Sequence, residues 1–250
     1  MSDLLEMALE AHGGLDRWRR ARTIVASASI TGAMWGRKGH TGALAQVVVE
    51  VDAHEQHVRY SPFLRPGIAS SYQPDRVCLV TDGGDTLAAL DRPRATFAGH
   101  TLETRWSELQ LAYFSGYAMW TYLTTPFLFT MQGFKAEEVE PWQENGEKLR
   151  RLRVTFPDYV ESHSSVQDFY FGEDGILRRQ DYRTEISGDR PVVLYASEAE
   201  YFDGLVFPTR RRAFARGPDN FAMDVPVGVA IDFHDIRIID YEEKALWSVA

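Results

Sequence analysis

Seven histidines and one cysteine are the side chains with the widest chemical repertoire in this sequence, and most of them fail on spacing. His54-Glu55-Gln56-His57 matches a helical zinc motif only in part, because its histidines stand three apart instead of four. On a strand, residues three apart point to opposite faces, so this run reads as a polar turn. In Ile231-Asp232-Phe233-His234-Asp235, strand alternation puts Asp232 and His234 on one face and Asp235 on the other. A carboxylate beside an imidazole can set a general base near neutral pH, although a surface pair at a strand end is the plainer reading. His100, with Glu103 and Arg105 close behind it, precedes an aromatic segment and is placed to project into a cavity mouth. His100, His234 and Tyr113 are therefore the acid/base candidates for catalysis. His163 lies in a polar loop, and Cys78, between Val77 and Leu79, reads as a small buried hydrophobe. No nucleophile elbow, phosphate loop, dinucleotide fingerprint or paired-cysteine motif occurs, and neither a metal nor a cofactor is expected.

A second kind of chemistry lies in the aromatics. Trp106, Tyr113, Tyr117, Trp120, Tyr122, Phe127 and Phe129 form a set that can line a cavity for a hydrophobic ligand, with Tyr and Trp supplying a few polar tips. The competing reading is that they fill a core beneath a curved sheet. Leu109 to Phe134 contains no charged residue. It is long enough to span a bilayer, yet its threonines, Gln110 and Pro126, and its lack of basic flanks, favour a buried helix.

These residues need elements to position them. Ser2 caps an amphipathic helix that stops at Gly13-Gly14, and a short helical turn follows from Leu15 to Ala21. From Arg22 the hydrophobic period falls to two residues, the rhythm of a strand. Strand signals recur at 43–51, 56–60, 76–81 and 86–91, the last two joined by Asp82-Gly83-Gly84-Asp85. The spacing then predicts a helix over 105–123 that is apolar all round, with Trp106, Leu109, Tyr113, Tyr117 and Trp120 along one line, ended by Pro126. Beyond Gly133 hairpins return: 135–142 with 148–156 around Asn145-Gly146, 167–171 with 176–182, and 192–202 with 206–214 around Asp203-Gly204. A last strand runs over 227–239. In Arg210-Arg211-Arg212 the outer two share a face, so at least one side of that strand is solvated or salt-bridged. The expectation is a single domain over 1–250, mainly β, with roughly ten antiparallel strands.

Several stretches carry a family resemblance. They are His12-Gly13-Gly14-Leu15-Asp16-Arg17-Trp18, followed at once by the strand from Ile24, then Phe169 to Arg179 and Tyr201 to Arg210. In these the chain resembles the outer-membrane lipoprotein carrier superfamily, the LolA/LolB-like fold. A set of bacterial proteins of this type shares the segment Phe97 to Thr104 and the aromatic run after it. The resemblance implies an incomplete antiparallel β-barrel whose concave face is covered by the N-terminal and central helices, enclosing an apolar cavity for an acyl chain or another hydrophobic ligand. Two features separate this sequence from the carriers: no signal peptide is read at its start, and Cys78 is far from any lipid-attachment position.

The averages set the outer limits. Of 250 residues, 27 are Lys or Arg and 36 are Asp or Glu, for a net charge of −9, which argues against a nucleic-acid partner. The expected partner is a hydrophobic small molecule or lipid, the expected location cytoplasmic, and no transmembrane segment is expected. Binding or carriage in the aromatic-lined cavity is the first functional reading. The alternative is a cofactor-independent isomerase, cyclase or hydrolase in the same cavity.

Overall fold

A computed structural model describes residues 2–241. Helix α1 (Asp3–Ala11) begins where the Ser2 side chain accepts from the Leu5 amide, and it buries Leu4, Leu5, Ala8 and Leu9. A single turn, α2 (Leu15–Trp18), leads into β1 (Ala21–Thr31), whose alternate residues are buried. Next come α3 (Ala33–Lys38), β2 (Val47–Asp52), β3 (Val58–Ser61), β4 (Ile68–Gln73), β5 (Arg76–Thr81) and β6 (Thr86–Asp91). The central helix α4 (Glu108–Thr124) follows. After it the chain runs through β7 (Lys135–Glu144), β8 (Glu147–Thr155), β9 (Val166–Phe171), β10 (Leu177–Thr184), β11 (Arg190–Phe202), β12 (Leu205–Ala215) and β13 (Val229–Asp240).

All thirteen strands form one antiparallel sheet, in the order β6-β5-β4-β3-β2-β1-β13-β12-β11-β10-β9-β8-β7. Two meanders, β1 to β6 and β7 to β13, are thus joined edge to edge by the pairing of the first strand with the last. β6 and β7 remain as separate outer edges, so the sheet curls without closing. Each range expected as a strand holds one, and β4 is an addition. Its Ile-Ala-Ser-Ser-Tyr-Gln sequence has too few β-branched residues to announce a strand. The tight turns fall where Asn-Gly and Asp-Gly require them. Asn145 and Gly146 take φ of 52° and 81°, and Asp203 and Gly204 take 46° and 93°.

α4 lies across the sheet, packed on β2 to β6. A capping box opens it: the Gln110 amide donates to Ser107 Oγ and the Ser107 amide donates to Gln110 Oε1. Its residues from Gln110 to Thr124 are buried, as an all-apolar helix must be. No helix among the described residues is long and apolar enough to cross a membrane. After Thr125 the chain turns at Pro126 into a short 3-10 segment, Phe127–Thr130. Having no N–H, Pro126 leaves the Tyr122 carbonyl without its usual helical donor. Arg211 Nη2 fills that place from β12, at 2.8 Å.

Candidate functional site: a cavity under the central helix

The concave side holds a cavity of about 260 Å³ between one face of α4 and the strands on the far side of β1. On α4 the lining residues are Phe114, Ser115, Ala118, Met119 and Tyr122, a stripe at three- and four-residue steps. Ser115 and Ala118 are small, and the space exists because of them. The opposite wall comes from Ile30 of β1, Tyr182 and Thr184 of β10, Val192 of β11, Ala213 and Ala215 of β12, and Val229 and Ile231 of β13. The mouth is framed by α3, with Ala33, Met34 and Arg37, and by the β12–β13 connection, with the exposed side chains of Met223, Val225 and Pro226.

α3 is held at this rim by a buried cation. Lys38 Nζ donates to the carbonyls of Thr101, Leu102 and Thr104 at 3.0, 2.8 and 3.2 Å and sits 4.6 Å from the centre of the Trp106 ring. Burial pulls its pKa down to about 8. Three residues closer to the strand, Trp35 fixes α3 by donating its indole N–H to the Thr31 carbonyl.

Beneath the floor lies a connected polar cluster. His163, fully buried, stacks on Tyr182 at 4.0 Å, with Tyr122 Oη 2.9 Å from its Nε2 and Tyr117 Oη 3.3 Å from its Nδ1. Tyr122 and Tyr182 share a further bond at 3.2 Å. Desolvation, reinforced by the cation of Arg94, lowers the His163 pKa to about 3, so the ring is neutral and one of its nitrogens accepts. Arg211 lies behind the Tyr122 ring, 5.1 Å from its centre, and burial lowers its pKa to about 10. Neither residue is prominent in the sequence: His163 sits in a serine-rich stretch and Arg211 between two other arginines.

The aromatic set divides. Tyr122 lines the cavity. Trp106, Tyr113, Tyr117, Trp120, Phe127 and Phe129 are buried but are not among the residues of its wall. Trp120 donates its indole N–H to the Asp52 carbonyl at 3.0 Å, Phe127 stacks on Trp18 at 4.4 Å, and Phe129 meets Phe169 at 4.6 Å. Trp106 packs on Phe97 and Phe114. The line drawn from Trp106 to Trp120 exists on the helix, but the cavity uses the neighbouring face, where smaller residues leave room.

None of the three acid/base candidates reaches the wall. Tyr113 donates to Glu161 Oε2 at 2.5 Å, and Arg94 ties the same carboxylate to Glu185, so this hydroxyl belongs to a strut between segments. Burial first, and the Glu161 charge second, hold the Tyr113 pKa well above its usual value. His100 packs edge-on against Phe97 at 5.3 Å. His234 is exposed, 2.8 Å from Ser29 Oγ. A register shift places it as the extra residue between the pairs Ala28–Phe233 and Ser27–Asp235, so His234 and Asp235 are both exposed and the expected alternation fails there. The three groups named for the enzymatic alternative thus stand away from this cavity.

The remaining motifs resolve simply. His54 Nε2 lies 2.9 Å from the Ala21 carbonyl, while His57 turns to Ser71. Cys78 is half-buried, on the strand face opposite the buried Val77 and Leu79. Arg210 and Arg212 both meet Asp232 on the outer face, as alternation requires.

No protein-family model and no curated protein matches the chain. Solved structures do. A LolA superfamily protein from Nitrosomonas europaea superposes with a TM-score of 0.53 at 11% identity, over 95% of this chain and 92% of the other. A DUF1329 family protein from Desulfovibrio piger gives 0.54 at 14%, over 96% and 93%. An outer membrane lipoprotein-sorting protein domain from Vibrio parahaemolyticus gives 0.52 at 11%, over 96% and 94%. At such identities the likeness is one of fold: the chain is an open antiparallel half-barrel of the LolA-like type, with the central helix on its concave side.

Proposed function

We propose that this protein binds a hydrophobic small molecule or acyl chain in the cavity under α4. The observation that carries the reading is the cavity itself, about 260 Å³ walled by Ile, Val, Met, Phe and Ala side chains on a rigid sheet and helix. Water in such a space needs two to four polar partners, and these walls offer few, so an apolar guest is favoured. Each 100 Å² of apolar ligand surface removed from water contributes roughly 2.5 kcal/mol before the cost of immobilisation. Of the aromatic set, Tyr122 is the member this reading retains. That a fold-mate is named for lipoprotein sorting agrees with a hydrophobic cargo.

The test fills the cavity from within. Ala118 is a lining residue in the middle of α4. The wild-type protein is expected to bind a neutral naphthylamine dye at one site. Ala118→Phe should weaken that binding by roughly tenfold or more, the equivalent of about 1.4 kcal/mol, with an unchanged far-UV circular dichroism spectrum. No binding to the wild type, or equal binding to a folded Ala118→Phe variant, overturns the proposal.

A further inference from the structure

The cavity wall is one-sided in charge. In a chain of net charge −9 it carries, among the described residues, two arginines, Arg37 and Arg190, and no carboxylate. Both arginines are exposed. Arg190 opens β11 opposite Thr184 of β10, itself a wall residue, and the adjacent Asp189 is engaged elsewhere, 2.8 Å from Arg183. Arg37 meets Glu103 at 3.3 Å, a contact between two exposed side chains that a better-placed anion can replace.

The floor is of opposite character. Tyr122 Oη is engaged by His163 and Tyr182, Tyr60 donates to the Ser115 carbonyl at 2.9 Å, and Ser115 Oγ donates to the Leu111 carbonyl at 2.7 Å. These polar tips are already partnered within the protein, so the deep end offers a head group little. Volume sets the remaining limit: at about 30 Å³ per water-sized group, 260 Å³ holds roughly nine such groups, enough for one short chain and too small for two.

Building on the cavity-binding reading above, we infer that the ligand is a single-chain anionic amphiphile with about eight to ten carbons in its tail. The tail lies under α4, and a carboxylate or phosphate head lies at the rim, held by Arg190 and Arg37 through charge-assisted hydrogen bonds. With no carboxylate among the described lining residues, these two cations select the sign of the head group.

Isothermal titration calorimetry with decanoate, decyl phosphate, decanol and decyltrimethylammonium tests this on the whole chain. Both anions should bind more tightly than decanol by roughly fivefold for each arginine, and the cation least well. Arg190→Gln combined with Arg37→Gln should erase the anion preference while leaving decanol binding unchanged. A lead for decyl phosphate over decanoate identifies a phosphate head, and parity or the reverse identifies a fatty acid; either supports the inference. Equal binding of decanol and the anions to the wild type, or an anion preference that survives the double substitution, overturns the head-group assignment and leaves the cavity reading standing. Binding of none of the four overturns both.

Discussion

Acid should destabilise this protein well above the range where carboxylates titrate, with the unfolding free energy falling by about 4 kcal/mol between pH 7 and pH 5. The cause is two histidines buried as neutral rings. His12 is 1% exposed and its pKa is lowered to about 4, by desolvation first; the Ala8 carbonyl opposes the shift and the Arg211 charge adds to it. His163, also 1% exposed, is lowered to about 3. In the unfolded chain both recover the ordinary value of 6.5, so between about pH 3 and 6.5 the unfolded state binds more protons than the folded one. Stability therefore rises with pH across that window, is fully present above about 6.5 and is lost as pH falls. Each histidine contributes about 1.36 kcal/mol per pH unit until its folded pKa is reached. A total stability of about 5–15 kcal/mol makes this a large fraction. Urea titrations at pH 7 and pH 5 measure it. His163→Gln should roughly halve the pH dependence whatever it does to stability at neutral pH. Identical stabilities of the wild type at the two pH values would rule the account out.

Gly116→Ala should lower stability by about 1–3 kcal/mol, although alanine is the better helix former by about 1 kcal/mol. The two effects compete, and packing wins. A Cβ at Gly116 would stand 2.5 Å from Tyr72 Cβ and overlap its Cγ. Those atoms lie at the base of a fully buried side chain on β4, so they cannot swing away as a chain end would. α4 would have to lift off the sheet, and the stripe from Ser115 to Tyr122 would move with it. In a chain of this size a loss of about 2 kcal/mol shifts the melting temperature down by roughly 4–8 °C. An unchanged or raised melting temperature would show that the helix relaxes without strain.

Local chemistry in the sequence determined much of this architecture. Asn145-Gly146 and Asp203-Gly204 set two hairpin turns because few other residues accept positive φ at both positions. Ser107 with Gln110 marks the start of α4, Pro126 its end, and the missing charges mark its burial. Alternation placed Arg210 and Arg212 together on the outside. Those are features of a few neighbouring residues, which is why they are legible. The cavity is not of that kind. An all-apolar helix has no face that its own sequence can nominate, and only the approach of Tyr72 to Gly116 decided that one side of α4 seats on the sheet while Ala118 and Tyr122 look into space. Arg211 became a buried partner of the Tyr122 carbonyl because β12 passes the point where Pro126 leaves that oxygen without a donor. Asp235 came out to the exposed side beside His234 through a shift in how β13 meets β1, a pairing between segments about 200 residues apart. Which surfaces meet is a property of the whole chain's packing, and that packing also set Arg37 and Arg190 on the wall of a mainly apolar cavity.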